Sequence, residues 1–350
     1  MPMMDAMTQS LAAQLDRCLD ESDFSGAVQV ASGGRVLYAC ARGFADRAHG
    51  VPNTLDTQFA LASGTKALTA LAVMSLVADG ALGLDVEVSG LFEGAAELVP
   101  PGVTVRQLLA HTSGIGDYLD ESLITDMEDY LMDVPVHRLS CPAEFRVVLR
   151  GRPAKLTPGA GFAYCNSGYV LLALVVEAVT GRSYYDVVEE RVCRPAGLRA
   201  TGFLRLDELP GSAALGYLPS RGFRVNHLHL PVRGGGDGGA YSTLDDLARL
   251  WAALFAGQVV PPATLTEMLR PQLAVAPPAR GYGLGFWLAQ GREAFQLEGS
   301  DAGISFRSCF EPSTGLLYSV LSNTTRGAWP VSRELERMAA RPGAFAPGRT

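Results

Sequence analysis

Strand signals stand at both ends of this chain and helix signals in its middle, which restricts the fold to a sheet that both ends build. Gly26 to Ser32 and Arg35 to Ala41 are short alternating or apolar runs joined by Gly33-Gly34, a strong hairpin signal. Sheet character returns in Gly281 to Ala289, Ala294 to Leu297, Ile304 to Phe310 and Leu316 to Ser322, with glycine-containing breaks between them. Before the first hairpin, Leu11, Leu15 and Leu19 are spaced as one face of an amphipathic helix. Between the two strand regions, Ala62 to Gly80, Thr104 to Ala110 and Ser167 to Thr180 read as helices.

A chain of 350 residues exceeds what one hydrophobic core usually organises. The expected architecture is therefore α/β: residues 1–85 and 225–340 share a sheet-containing lobe, and 86–224 form a mostly helical lobe. A cleft between two such lobes is a usual place for a binding site. Residues 341–350 are rich in proline and glycine and read as a frayed tail.

The net charge of -7 gives no electrostatic reason to bind nucleic acid or an anionic membrane. No run of eighteen apolar residues occurs, and Tyr169 to Val179, interrupted by Glu177, reads as a buried helix. Met1 to Ser25 lacks a basic stretch followed by an apolar run, so a cytoplasmic protein is expected. Cys18, Cys40, Cys141, Cys165, Cys193 and Cys309 are scattered, without a C-x-x-C pair or histidines at ligand spacing. Free thiols, no metal and no cofactor are the expectation.

Ser63-Gly64-Thr65-Lys66 is an S-x-x-K at the start of a helical run. Residues three apart share a helix face, so the lysine amine can reach the serine hydroxyl. The backbone N–H groups at a helix start also favour a developing oxyanion. The lysine is informative because the chain holds 27 arginines and only two lysines, Lys66 and Lys155. Arginine cannot give up its proton, whereas a buried lysine can act as a base. A second signal is Tyr164-Cys165-Asn166, directly before an apolar helix. A phenol can relay a proton and an amide can orient a carbonyl.

With their flanks, these motifs carry a family resemblance. Phe59 to Lys66, Val103 to Gly114 and Pro158 to Tyr169 resemble signature stretches of class C β-lactamase-like and penicillin-binding serine hydrolases. Asp237 to Thr243 and Leu321-Ser322-Asn323 look like later ones. The resemblance implies a β-lactamase-like fold, an antiparallel sheet flanked by helices with an inserted helical lobe. It also implies an acyl-enzyme mechanism in which Ser63 attacks, Lys66 and Tyr164 move protons, and Asn166 holds the substrate. The backbone N–H groups of Ser63 and Ser300 are then the candidate oxyanion hole.

One departure bears on substrate. Where relatives carry Lys or His, a variable residue and Gly, this chain has Leu297-Glu298-Gly299. The missing cation weakens a β-lactam or peptide-carboxylate reading more than it weakens hydrolysis. The expected activity is hydrolysis of small acyl esters, with a small-molecule acyl substrate as partner. The alternatives are a D-amino-acid peptidase, a D,D-carboxypeptidase or weak β-lactamase, and a catalytically impaired binding or scaffold protein.

Other motifs are set aside. His111-Thr112-Ser113-Gly114 places histidine and serine two apart on a turn, poor geometry for nucleophile and base. No G-x-S-x-G occurs. Arg233 to Gly239 is glycine-rich but lacks the G-K-[ST] of a phosphate loop, and reads as a mobile loop before a helix capped through Ser242 and Asp245. His227 and His229 alternate as on a strand, without further metal ligands nearby in sequence.

Overall fold

The computed structural model describes residues 6–219, 221–272, 280–341 and 345. Its centre is a seven-stranded, wholly antiparallel sheet built from β1 (Gly26–Ser32), β2 (Arg35–Arg42), β3 (Gly281–Tyr282), β4 (Trp287–Leu288), β5 (Phe295–Asp301), β6 (Ile304–Glu311) and β7 (Leu316–Ser322). The strand order is β2-β1-β7-β6-β5-β4-β3, so the first hairpin pairs with the last strand, in the register Gly26 to Ser322 through Ser32 to Leu316.

Alternation along the strands sends side chains to two separate cores. Val28, Val30, Tyr318 and Val320 meet α1 (Ala6–Glu21), through Leu11, Leu15 and Leu19, and the C-terminal helix Ala328–Ala339, through Val331 and Leu335. Their neighbours Ala27, Leu321, Phe306 and Leu297 face the larger core, together with Leu68, Leu71 and Trp251. At the centre of that core runs α2 (Thr65–Ala78), whose residues from Thr65 to Leu76 are all buried. A helix apolar on every side must be enclosed on every side. α3 (Asn166–Thr180) packs beside it and ends at Gly181, whose φ of 65° is the left-handed C-terminal stop that glycine adopts without strain.

Several elements differ from the sequence reading. Gly281 to Ala289 is two short strands, β3 and β4, because the chain turns between them through Gly283-Leu284-Gly285-Phe286. A methyl group on Gly283 would fall 2.0 Å from the Met268 carbonyl oxygen, and Gly285 has φ of 92°. Thr104 lies outside its helix as a capping-box residue with Gln107. The cap of the helix Leu244–Phe255 is Thr243, accepting from the Asp246 N–H, rather than Ser242 with Asp245. Ser242 is held in a two-residue strand paired with Phe59. His227 and His229 lie in a turn closed by the His229 N–H donating to the Asn226 carbonyl. The glycine-rich stretch read as mobile is packed: a methyl on Gly236 would fall 2.1 Å from the Tyr169 carbonyl oxygen. Its glycines permit close approach instead of motion. Of the tail, only Arg341 and Phe345 lie among the described residues.

All six cysteines are free thiols. Among the described residues, no helix is long and apolar enough to cross a membrane, and no cluster of His, Cys, Asp or Glu could hold a metal ion.

Candidate active site

Ser63 sits in a single 3-10 turn, Ala62–Gly64, that leads into α2. The turn is fixed from both sides. The Leu61 N–H donates to the Ala240 carbonyl at 2.8 Å, and the Thr65 hydroxyl donates to the Ala62 carbonyl while accepting from the Ala240 N–H. Ala62 carries φ of 44°, a conformation uncommon for a residue with a side chain. Strained backbone of this kind concentrates at functional sites. β5 presses against the turn at Gly299, and Phe306 of β6 leaves no room for a side chain on Gly64.

One helical turn on, Lys66 is only 2% exposed, and its Nζ has three oxygen neighbours: Ser63 Oγ at 2.9 Å, Asn166 Oδ1 at 2.7 Å and the Asp237 carbonyl at 2.7 Å. The last two can only accept. The Asn166 amide is oriented by its Nδ2, which donates to the Leu119 carbonyl at 2.8 Å, so Oδ1 must face the lysine. A neutral amine that gives its two N–H groups to Asn166 and Asp237 aims its lone pair at the Ser63 hydroxyl. Burial lowers the lysine pKa, against the nearby Asp237, Glu121 and Asp117 carboxylates, which raise it.

Asn166 itself is placed by the start of α3. The Asp117 carboxylate accepts from the N–H groups of Asn166 and Ser167, both at 2.9 Å, and from the Ser167 hydroxyl at 3.2 Å. It thus supplies the cap that Cys165 does not. Lys155, the other lysine of the chain, lies 2.9 Å from Asp120 and 4.0 Å from Asp117. The Tyr118 hydroxyl donates to Asp237 at 2.5 Å, fixing the loop whose carbonyl holds Lys66.

Tyr164 lies on the same side as Lys66, whose Nζ is 5.0 Å from its ring centre. Its ring stacks on Trp287 with centroids 6.0 Å apart and lies tilted against His111 at 4.2 Å. Burial, then the Glu121 charge, push its pKa well up, and a hydrogen bond with Ser63 works the other way. The phenol is therefore held protonated. His111 has φ of 56°, and its Nδ1 accepts from the Cys165 N–H at 3.1 Å. It shapes the Tyr164 environment and makes no pair with Ser113, whose hydroxyl has no hydrogen-bond partner among the described residues.

A cleft enclosing about 610 Å³, open mouth included, begins at Ser63 and is bounded by Asn166, Ser300 and Asp301. Its lining includes the apolar side chains Leu204, Leu206, Leu230 and Ile304. Ser63, Lys66, Tyr164 and Asn166 are thus brought together, and Ser300 shares the cleft. Leu297 is placed elsewhere: it is 3% exposed, belongs to the large core, and is not one of the cleft's lining residues. Gly299 does not line the cleft either, but supports the Ser63 turn from behind. Arg307 supplies no replacement cation: it alternates with Phe306 and so projects from the opposite sheet face. There it pairs with Glu298 and, at 2.8 Å, with Glu336. Sequence reasoning missed Asp117, Tyr118, Asp237 and Trp287. Asp117 and Tyr118 lie three and four residues past the H-T-S-G stretch that carried the resemblance, and Asp237 begins another such stretch.

An antiparallel sheet with a serine and a buried lysine one turn apart at a helix start defines a serine hydrolase-like scaffold. The Beta-lactamase family model matches residues 11–341, and the chain belongs to that family. It is 33% identical to Esterase EstB of Burkholderia gladioli, over 79% of each chain. It is 29% identical to Penicillin-binding protein 4* of Bacillus subtilis, over 77% of this chain and 61% of that one. The crystal structure of a penicillin-binding protein from Bacillus halodurans superposes with a TM-score of 0.86 at 35% identity, covering 92% of this chain and 99% of the other. Homologues in this family are serine hydrolases and include esterases, penicillin-binding proteins and D-aminopeptidases.

Proposed function

We propose that this chain is a serine hydrolase that forms an acyl-enzyme on Ser63 and acts on small acyl esters. The observation that carries this reading is the Lys66 amine, buried, 2.9 Å from the Ser63 hydroxyl, with its two other contacts made by obligate acceptors. In acylation Lys66 takes the Ser63 proton as Oγ bonds to the ester carbonyl carbon. Tyr164, protonated at rest, passes a proton to the departing alkoxide and is refilled from Lys66. The N–H groups of Ser63 and Ser300 receive the oxyanion, and Asn166 orients the carbonyl. Water then attacks the acyl-enzyme by the reverse proton route and releases the acid. Preference for a neutral ester is supported by the cleft lining, which among the described residues contains no lysine, arginine or histidine to receive a substrate carboxylate. Hydrolysis of p-nitrophenyl butyrate by wild type and Ser63→Ala tests the reading: activity is lost in the variant, and retention of more than a few per cent would place the chemistry elsewhere.

A further inference from the structure

A hydrogen-bonded chain of four side chains runs from the edge of the site to the nucleophile. Glu121 Oε1 accepts from Asn166 Nδ2 at 3.3 Å, Asn166 Oδ1 accepts from Lys66 Nζ at 2.7 Å, and Nζ reaches Ser63 Oγ at 2.9 Å. Both hydrogens of the Asn166 amide are committed, since Nδ2 also donates to the Leu119 carbonyl at 2.8 Å. The longer contact, to Glu121, is the one a substrate carbonyl can share as a three-centre bond. Glu121 opens a 3-10 turn, Glu121–Leu123, that Asp120 caps by accepting from the Ser122 N–H at 3.1 Å, and Asp120 is in turn tied to Lys155 at 2.9 Å. The residue is exposed overall, yet burial of its carboxylate pushes its pKa up, against Lys66 and the Asn166 amide, which favour the charge. The other groups facing Lys66 are engaged elsewhere or carry no charge. Asp117 accepts from the Asn166 and Ser167 N–H groups with Lys155 4.0 Å away, Asp237 takes the Tyr118 hydroxyl, and Asp301 takes the Ala302 N–H. Burial keeps Tyr164, Tyr169 and Cys165 protonated and His111 neutral. Glu298, a like charge facing Glu121, is held by Arg280 and Arg307. A carboxylate on an amide N–H polarises the amide and makes its oxygen a better partner for a cation.

We propose that Glu121 is a positioning residue that sets the basicity of Lys66 through Asn166, stabilising the lysine ammonium that forms as Ser63 is acylated. This rests on the reading of Ser63 as nucleophile and Lys66 as its base. Glu121 takes no proton in the step; it favours the cation that has taken one, as a carboxylate behind a catalytic histidine does. An ionised Glu121 makes the Lys66 amine a stronger base and, by the same interaction, moves its protonation to higher pH. The two effects have one cause and must appear together. A residue that only shapes the loop would lower the rate without moving the titration.

Glu121→Gln is nearly isosteric and removes the charge. The measurement is kcat/KM for p-nitrophenyl butyrate across the rising limb of the pH profile, in wild type and in this variant. The midpoint moves down by about half a pH unit or more in Glu121→Gln, and the plateau above it falls by about threefold to tenfold, as Brønsted behaviour of a weaker base requires. A smaller shift, or an upward one, overturns the assignment whatever the plateau does. Deacylation can limit turnover, so the same two profiles are taken for the rate of Ser63 phosphonylation by a fluorophosphonate, which reads attack by the serine alone. The same downward shift is expected there, and its absence overturns the assignment. A wild-type profile with no rising limb removes Lys66 as base and the role of Glu121 with it. Ser63→Ala separates the two readings. If turnover and labelling do not depend on Ser63, the nucleophile reading falls and this one with it; if both depend on Ser63 while the Glu121→Gln midpoint stays in place, only the role of Glu121 falls.

Discussion

Gly299 of β5 lies so close to Ser63 that a methyl group on its Cα would fall 2.9 Å from the Ser63 nitrogen and 2.0 Å from the Leu61 carbonyl oxygen. The strand is thus a wall against which the strained turn is set, and both atoms in contact are backbone. Neither can swing away. Gly299→Ala should therefore displace the Ser63 N–H and cost stability, by about 1–3 kcal/mol as overpacking usually does. Thermal unfolding and ester turnover measured together check this, and a variant with both unchanged would show that the contact is slack.

Lys66→Arg keeps the charge but loses the base, since guanidinium does not deprotonate. Loss of about a hundredfold or more in kcat/KM is expected, close to the loss from Lys66→Ala. The pH profile carries the sign. Burial lowers the lysine pKa, so the neutral, reactive amine grows as pH rises and reaches its plateau earlier than a free lysine would. A rising limb should therefore appear in wild type with its midpoint below that of free lysine. A flat profile over the same range would mean that Lys66 serves the site by charge alone.

Tyr164→Phe retains the stack on Trp287 and the tilted ring contact with His111 and removes only the hydroxyl. A fall of about a hundredfold in kcat with little change in KM is expected for a proton relay. An unchanged kcat would remove Tyr164 from the proton route.

The grouping of Ser63, Lys66, Tyr164 and Asn166 was legible because the two motifs are local: S-x-x-K places its groups by helix geometry, and Y-x-N sits at a helix start. The hairpin, the late strands and the amphipathic first helix were legible from periodicity and glycine turns. What stayed hidden depends on contacts between distant segments. Asp237 reaches Lys66 through its backbone carbonyl, for which no side-chain signal exists. Asp117 caps α3 from 49 residues away along the chain. The glycines of Arg233 to Gly239 read as flexibility because sequence does not show that Tyr169 packs on them. Leu297 was aligned to a cleft position, while the strand's alternation turns its side chain into the core.

Among the described residues the cleft lining bears two carboxylates, Asp237 and Asp301, and no cation, so a substrate carboxylate meets repulsion there. A charged hydrogen bond forgone is about 1.5 to 3 kcal/mol. The kcat/KM for p-nitrophenyl butyrate should accordingly exceed that for a chromogenic cephalosporin by about tenfold to a hundredfold or more. Equal efficiency would mean that another cation reaches the bound substrate.

The covalent step at Ser63 is tested most directly by intact-mass and peptide mass spectrometry after incubation with a fluorophosphonate, which phosphonylates an activated serine hydroxyl with loss of fluoride. Wild type should gain one adduct, mapped to the peptide containing Ser63, and Ser63→Ala should gain none. Lys66→Arg should label far more slowly, because the hydroxyl has lost its base. An adduct that persists in Ser63→Ala, maps to another residue, or fails to form on wild type would contradict the account.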